Sequence, residues 1–335
     1  MKMRVFLSVI LWTWVLTVGA KNIETRFDGK KITNDVFWNT AEGMPLYSQG
    51  GGIFRYPDPD TGRLRYYWYG VRYAEAVRYR EDPSVTYPAC TFEAVTCYSS
   101  DNLINWYYEG DVLTREEVDR YGRAGWVGRM GVAYLEAWNQ YVLVVQHDNG
   151  VLFALSHTPN GRFTWHRRIT MEKIIGTPNT GDQTVFVDED TRKPYLIYSY
   201  GRGRNRIYVS EIGIRDGQVD LLDCTQVFKG AGREGNCLFK YEGRYYMCAS
   251  NLYGWDSSFA YYMVANDIRG PYEPVNDMKI MPGCAEDYAH VTQTGFFYTV
   301  RGSRKETVVY CGDRWAEFAG NGWGYNHWDR KSTRL

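Results

Sequence analysis

The sequence lacks any closely spaced cysteine pair. Its seven cysteines, Cys90, Cys97, Cys224, Cys237, Cys248, Cys284 and Cys311, are odd in number and scattered, which weakens a zinc or thiol-redox reading. It also lacks net charge: 39 Lys and Arg balance 39 Asp and Glu, so no strong field favours nucleic acid or an anionic membrane. No long apolar run follows the first twenty residues, which excludes a multi-span membrane protein. Helical periodicity is absent too, apart from a turn at Arg115 to Arg120, so an all-helical fold is excluded.

Lys2 and Arg4 precede the apolar run Val5 to Leu16, and Val18-Gly19-Ala20 ends in small residues. That pattern predicts a cleaved secretory signal over residues 1–20, too short for a comfortable membrane span. No cysteine lies near the cleavage point, which argues against a lipid anchor. The remaining residues, 21–335, are expected to form one exported domain, secreted or periplasmic, with no membrane attachment after signal removal.

What the chain does have is aromatic residues, 29 Tyr and 12 Trp, which suit both strands and sugar-stacking clefts. They fall in a recurring unit. Arg233-Glu234-Gly235-Asn236 leads into Cys237-Leu238-Phe239-Lys240, a Glu242-Gly243 turn and Tyr245-Tyr246-Met247-Cys248, which reads as a β-hairpin. Similar hairpins run over 52–70, 131–145, 183–199 and 294–311. Val132, Val185 and Leu238 occupy equivalent places 53 residues apart each time, so copies of one unit stack. Outer strands at 97–106, 154–163 and 262–272 bring each copy to four strands. The expected fold is therefore all-β, a five-bladed β-propeller around a central substrate pocket. Cys237 and Cys248 should face each other across their turn as two small core residues.

Inner strands of a propeller converge, so residues just before each apolar run meet at one pocket. These are Gln49-Gly50-Gly51, Gly128-Arg129-Met130, Gly181-Asp182-Gln183, Arg233-Glu234-Gly235 and His290-Val291-Thr292-Gln293. Glu234 and Asp182 stand in matching places. Alone, Glu234 could cap a strand and Asp182 could be a polar turn residue; together they form the paired carboxylates that glycoside cleavage needs, one protonating the leaving oxygen and the other holding up its pKa.

Those residues, with Tyr67-Trp68-Tyr69-Gly70, Gly181 to Asp190, Gly254-Trp255 and Gly312-Asp313-Arg314-Trp315, give the chain a resemblance to glycoside hydrolase family 43. The resemblance implies five-bladed propellers that remove sugars from plant-type polysaccharides with inversion. It places the general acid on Glu234 and the pKa-modulating aspartate on Asp182, with Arg129, Gln49, Trp255, Asp313 and Arg314 as substrate contacts. The family's blade-one Asp base falls on Gly50. That loss resembles the exo-β-1,3-galactanase branch, in which a blade-five glutamine takes part in positioning water; Gln293 matches it. The branch's Glu-Arg-Pro at the second blade is here Gly128-Arg129-Met130, which keeps the arginine and loses the acid.

Two alternatives stay open: an α-L-arabinofuranosidase or galactofuranosidase of the same family, and a carbohydrate-binding propeller without catalysis. The polar end Lys331 to Leu335 is unlike a strand, so the fifth blade is expected to stop short. No cofactor is required; a structural calcium, as in some relatives, is left open, and no metal ligand is assigned. The basic run Gly201 to Arg206 reads as a solvated hairpin tip, and the insertion Val71 to Thr91 as a mixed-charge loop. His147 and His290 read as hydrogen-bonded structural histidines.

Overall fold

Alternating aromatic and β-branched residues, punctuated by Gly, Asn and Asp turns, leave the chain little choice but antiparallel strands. The computed structural model describes residues 31–330 apart from 35, 85–88, 123–124, 254–256, 287, 303–304 and 315–324. The first sheet is β1 (Gln49–Pro57), β2 (Leu64–Tyr73), β3 (Phe92–Ser100) and β4 (Tyr107–Thr114). The second is β5 (Val127–Leu135), β6 (Gln140–His147), β7 (Gly150–Ser156) and β8 (Thr164–Ile169). The third is β9 (Thr180–Val187), β10 (Pro194–Tyr200), β11 (Arg206–Arg215) and β12 (Gln218–Lys229). The fourth is β13 (Glu234–Tyr241), β14 (Arg244–Ser250), β15 (Ala260–Ala265) and β16 (Lys279–Ile280). The fifth is β17 (Gln293–Arg301), β18 (Glu306–Arg314) and β19 (Tyr325–Arg330). Each strand pairs with the next, and β1, β5, β9, β13 and β17 neighbour one another in that order, with β17 returning to β1. This closes a ring, the five-bladed β-propeller that the repeat predicts.

The core lies between blades. Tyr56, Tyr69 and Tyr73 of blade one are buried, and their hydroxyls donate to blade-two carbonyls or beyond: Val132 at 2.7 Å, Pro159 at 2.6 Å and Val127 at 2.6 Å. Tyrosine suits such a seam because the ring fills the apolar gap while its hydroxyl satisfies a buried carbonyl. Cys237 and Cys248 are register partners, both buried and both free thiols.

Blade five has three strands among the described residues, and β19 has the outermost place. Its edge is met by the chain's other end. The Asn34 side chain donates to the Trp328 carbonyl at 2.8 Å and accepts from the Trp328 amide at 3.0 Å, a one-residue imitation of strand pairing. Trp328 also packs against Trp38 at 5.0 Å and Trp68 at 4.7 Å. The segment 331–335, expected to be unlike a strand, lies outside the described residues.

Two expectations need correction. The insertion after blade one's second strand is not a loop throughout: it contains a helix, α1 (Ala74–Glu81). Two turns that mix Ala and Val with Glu, Arg and Tyr show no continuous apolar stripe, so there is no period to read. Tertiary contacts hold it instead. Glu75 is buried and accepts from the Thr91 amide at 2.6 Å and hydroxyl at 2.8 Å, and Arg80 lies over the Phe37 ring. The outer strand of blade four is not at Gly270 to Tyr272 but at the two-residue β16; only Glu273 bridges to Val264 near the expected place.

The Asn34 clasp should be measurable. Asn34→Ala removes two hydrogen bonds, each contributing about 1 kcal/mol, and is expected to lower the melting temperature by roughly 2–8 °C at this chain size. An unchanged melting temperature would show that the ring closes without it.

Candidate active site

All five inner hairpins shift register at the same end. The breaks fall between Gln49 and Gly52, Val127 and Met130, Glu234 and Cys237, Thr294 and Phe296, and on β10 between Tyr198 and Tyr200, opposite Gly181 and Asp182. A bulge re-aims side chains that a regular strand would send to one of the sheet's two faces. Here it turns Arg129 and Asp182, and the neighbours of Glu234 and Gln293, toward the ring axis. Gly235 shows why glycine is needed: its φ is +59° and a Cβ there would lie 2.4 Å from the Thr294 carbonyl of the next blade.

Arg129 stands at the centre, with its side chain only 2% exposed. Its Nε contacts Asp182 Oδ2 at 3.1 Å, one terminal nitrogen contacts Asp313 Oδ2 at 2.9 Å, and the other donates to Gln293 Oε1 at 2.7 Å and the Thr294 carbonyl at 3.2 Å. One guanidinium thus ties blades two, three and five. Gln146 braces the same bulges, accepting from the Arg129 amide at 3.2 Å and donating to the Gly181 carbonyl at 2.8 Å.

Glu234 joins this network through Gln293, whose Nε2 donates to Glu234 Oε1 at 3.0 Å. Arg129 can only donate, so Gln293 must turn its oxygen to the guanidinium and its NH2 to the carboxylate; the amide's polarity is fixed by chemistry. Asp182 Oδ2 also accepts from the Gly235 amide at 2.8 Å, directly beside Glu234. Burial, and then the negative charge of Asp182, push the Glu234 carboxyl up to about 7, against the pull of Arg204, Arg129 and the Gln293 hydrogen bond. The Asp313 carboxyl is also pushed up by burial, opposed by Arg129 and by the Gly50 amide, which donates to it at 3.1 Å. A blade-five carboxylate therefore reaches the entrance of blade one, where Gly50 itself carries no side chain.

The residues read from the sequence come together to different degrees. Glu234, Asp182, Gln293, Arg129 and Asp313 form one hydrogen-bonded cluster. Gln49 and Arg314 flank it: Gln49 Nε2 donates to the Arg314 carbonyl at 3.0 Å, and Arg314 donates to the His290 carbonyl at 2.7 Å. Arg129, read as a sugar contact, is instead buried with donors on every side of its guanidinium committed to protein oxygens. Trp255 lies outside the described residues. His290 stacks on His327 and faces Asp329 at 3.3 Å, and His147 contacts Arg168 at 3.4 Å, both structural roles.

Besides Gln146, two residues escaped the sequence reading. Asn236 donates to the Asp182 carbonyl at 3.0 Å, and its buried Oδ1 has no hydrogen-bond partner among the described residues. Arg204, from the basic tip read as solvated, places Nε 3.8 Å from Glu234 Oε2. No spacing in the sequence could have paired that tip with the acid. Among the described residues no group of three or more His, Cys, Asp or Glu could hold a metal ion. The oxygens that converge at the axis, from Asp182, Asp313, Gln293 and Thr294, surround the Arg129 guanidinium.

Stability should report the buried carboxyl. Between about pH 4.5 and 7 the unfolded chain has released the Glu234 proton and the folded chain keeps it, so this group's contribution falls as pH rises through that window. Glu234→Gln, a neutral mimic, is expected to match the wild type in relative stability below pH 4.5 and to gain on it by on the order of 3 kcal/mol above pH 7 in urea unfolding. A difference that stays constant with pH would mean that Glu234 titrates as an ordinary exposed carboxylate.

Comparison with solved structures returns the same ring. An exo-β-1,3-galactanase from Clostridium thermocellum superposes with a TM-score of 0.70 at 26% identity, covering 89% of this chain and 62% of that one. A variant exo-β-1,3-galactanase from Phanerochaete chrysosporium, solved with β-1,3-galactotriose, gives 0.66 at 22% identity, with 88% of this chain and 62% of that one covered. The chain thus spans less than two thirds of the length of these two proteins. No curated protein matches the sequence. A model of the glycosyl hydrolases of family 43 matches residues 56–331, from the end of the first inner strand to the last, including every member of the Arg129 cluster. With that match lying over a five-bladed ring whose entrances carry the two acids, the chain belongs to glycosyl hydrolase family 43.

Proposed function

We propose that the protein hydrolyses β-1,3-linked galactosyl units from glycan chain ends, with inversion. The single observation that carries this reading is the buried Glu234 beside Asp182, a carboxyl pushed up to about 7 and so able to hold a proton near neutral pH. Glu234 donates that proton to the glycosidic oxygen as the bond to the anomeric carbon breaks. Asp182, held by Arg129 and the Gly235 amide, keeps the carboxyl's affinity for the proton high. Water adds to the anomeric carbon from the opposite face and its proton passes to solvent. Gln293, whose amide oxygen is held by Arg129, positions that water as a hydrogen-bonding partner and not as a base, since an amide accepts protons poorly at neutral pH. Its Nε2 leaves Glu234 once the sugar enters between them.

The galactan choice is supported by the two galactanases above, one of which was solved with β-1,3-galactotriose. Export belongs to the proposal as well: the secretory pattern over residues 1–20 lies outside the described residues. Retention of a buried, protonatable Glu234 favours an enzyme over a binding propeller, because binding alone has no use for so costly a group.

Glu234→Gln is expected to lower kcat on β-1,3-galacto-oligosaccharides by several orders of magnitude while keeping their affinity; unchanged turnover would overturn the acid's role. Because Glu234 must be protonated to act, wild-type activity should fall as pH rises past about 7. Asp182→Asn removes the charge that raises this carboxyl, so the alkaline limb of the pH profile should move to lower pH; a limb that stays in place would separate Asp182 from the acid. A parallel screen of arabinan and galactofuranoside substrates tests the sugar: cleavage of these in place of galactan would replace the substrate and keep the mechanism.

A further inference from the structure

The β10–β11 tip, residues 201–205, does not simply project into solvent. The Arg204 stem crosses the entrance of blade three directly over Gly181, where a Cβ would lie 2.9 Å from Arg204 Cγ and 2.0 Å from Ser199 Oγ. Only glycine leaves room for that path. Its backbone is fixed by the Arg233 amide, which donates to the Arg204 carbonyl at 2.8 Å. The route ends with Nε 3.8 Å from Glu234 Oε2, beyond hydrogen-bond reach, and that Nε is buried with no hydrogen-bond partner among the described residues. The side chain as a whole is 36% exposed, so the guanidinium lies at the rim.

Arg233 stands beside it. It is 6% exposed, its guanidinium lies 4.1 Å over the Tyr261 ring, and among the described residues it donates to neutral oxygens, Gly232 at 3.1 Å and Asn251 Oδ1 at 2.8 Å. Among the described residues no carboxylate lies within 4.0 Å of it, and burial pulls its pKa down. The Arg204 and Arg233 backbones therefore meet at the seam of blades three and four, while their guanidinium groups take different partners. Asp277 acts on Arg233 only from beyond ion-pair distance, and Glu234, the acid that faces Arg204, is neutral whenever it holds the proton it is proposed to donate. The charge of Arg129 is already matched by Asp182 and Asp313 and offers nothing to the rim.

A rim guanidinium whose one ion pair, to Glu234, is long at 3.8 Å and lapses when that acid is protonated fits an acidic substituent at the edge of a sugar pocket, because carboxylate and sulfate oxygens accept two parallel N–H bonds from it. Resting on the glycosidase reading above, we infer that the preferred substrate is a glycan carrying a carboxylate or sulfate group, bound by Arg204. The anion would also draw Arg204 off Glu234. Losing the pull of Arg204 favours the protonated form of that acid, as Asp182 already does, while Arg129 and the Gln293 hydrogen bond still oppose it.

The test uses Glu234→Gln protein, which binds without turnover. Calorimetry would compare a neutral β-1,3-galacto-oligosaccharide, the same oligosaccharide bearing a uronic acid, and a sulfated one. At least one charged ligand should bind ten-fold or more tightly than the neutral one at low salt, and the gap should close with added NaCl. Whichever charged ligand gains identifies the group. Adding Arg204→Gln should collapse the gap toward one, and Arg204→Lys should keep part of it. Equal affinities for neutral and charged ligands, or a gap that Arg204→Gln leaves intact, would overturn the inference while neutral binding and wild-type cleavage leave the glycosidase standing. Failure of every oligosaccharide to bind or be cleaved would remove both.

Discussion

A guanidinium sealed from water is expensive unless its donors are met, and Arg129 is met on every side. Asp182, Asp313, Gln293 and the Thr294 carbonyl accept from it, so one cation settles the relative positions of blades two, three and five. Breaking such a buried pair costs about 3–5 kcal/mol, because the partner charge is left uncompensated. Everything chemical about the site hangs on this cation: it orients Gln293, anchors Asp182 beside Glu234 and carries Asp313 to the entrance of blade one.

The backbone prepares that meeting. Each inner hairpin breaks its register where its functional residue enters, and a glycine accompanies each break: Gly50, Gly128, Gly181, Gly235 and Gly295. A regular strand would direct these side chains into the seams between blades, where the aromatic core already fills the space. The bulges instead aim them at the axis, and neighbouring backbones approach closely enough that Gly235 has no room for a side chain. Stability is therefore concentrated in the seams and chemistry at the entrances, and the two meet in Gln146, which braces two bulges from within a strand.

Much of this was legible in the residues themselves. The five hairpins carried the blade count, the 53-residue spacing of Val132, Val185 and Leu238 carried the repetition, and the positions just before each apolar run carried Asp182, Glu234 and Gln293 into one cluster. Helix α1 was not legible, since two turns without an apolar face have no period; Glu75 and Arg80 hold it through contacts distant in sequence. The outer strand of blade four was misplaced for a related reason, since two residues, Lys279 and Ile280, leave no alternation to see. Arg204 was hidden most completely: a basic run between strands has the same composition whether it is solvated or folded back over Gly181.

By itself the sequence determined the kind of unit, its repetition and which residues stand at the strand entrances, because a period of two and a fixed repeat length are properties of order along the chain. Only the closed ring decided what those entrances do to one another. Distances between side chains 53 to 184 positions apart, the burial that raises the Glu234 carboxyl and the turn of the Gln293 amide depend on packing among blades, and no local pattern encodes them.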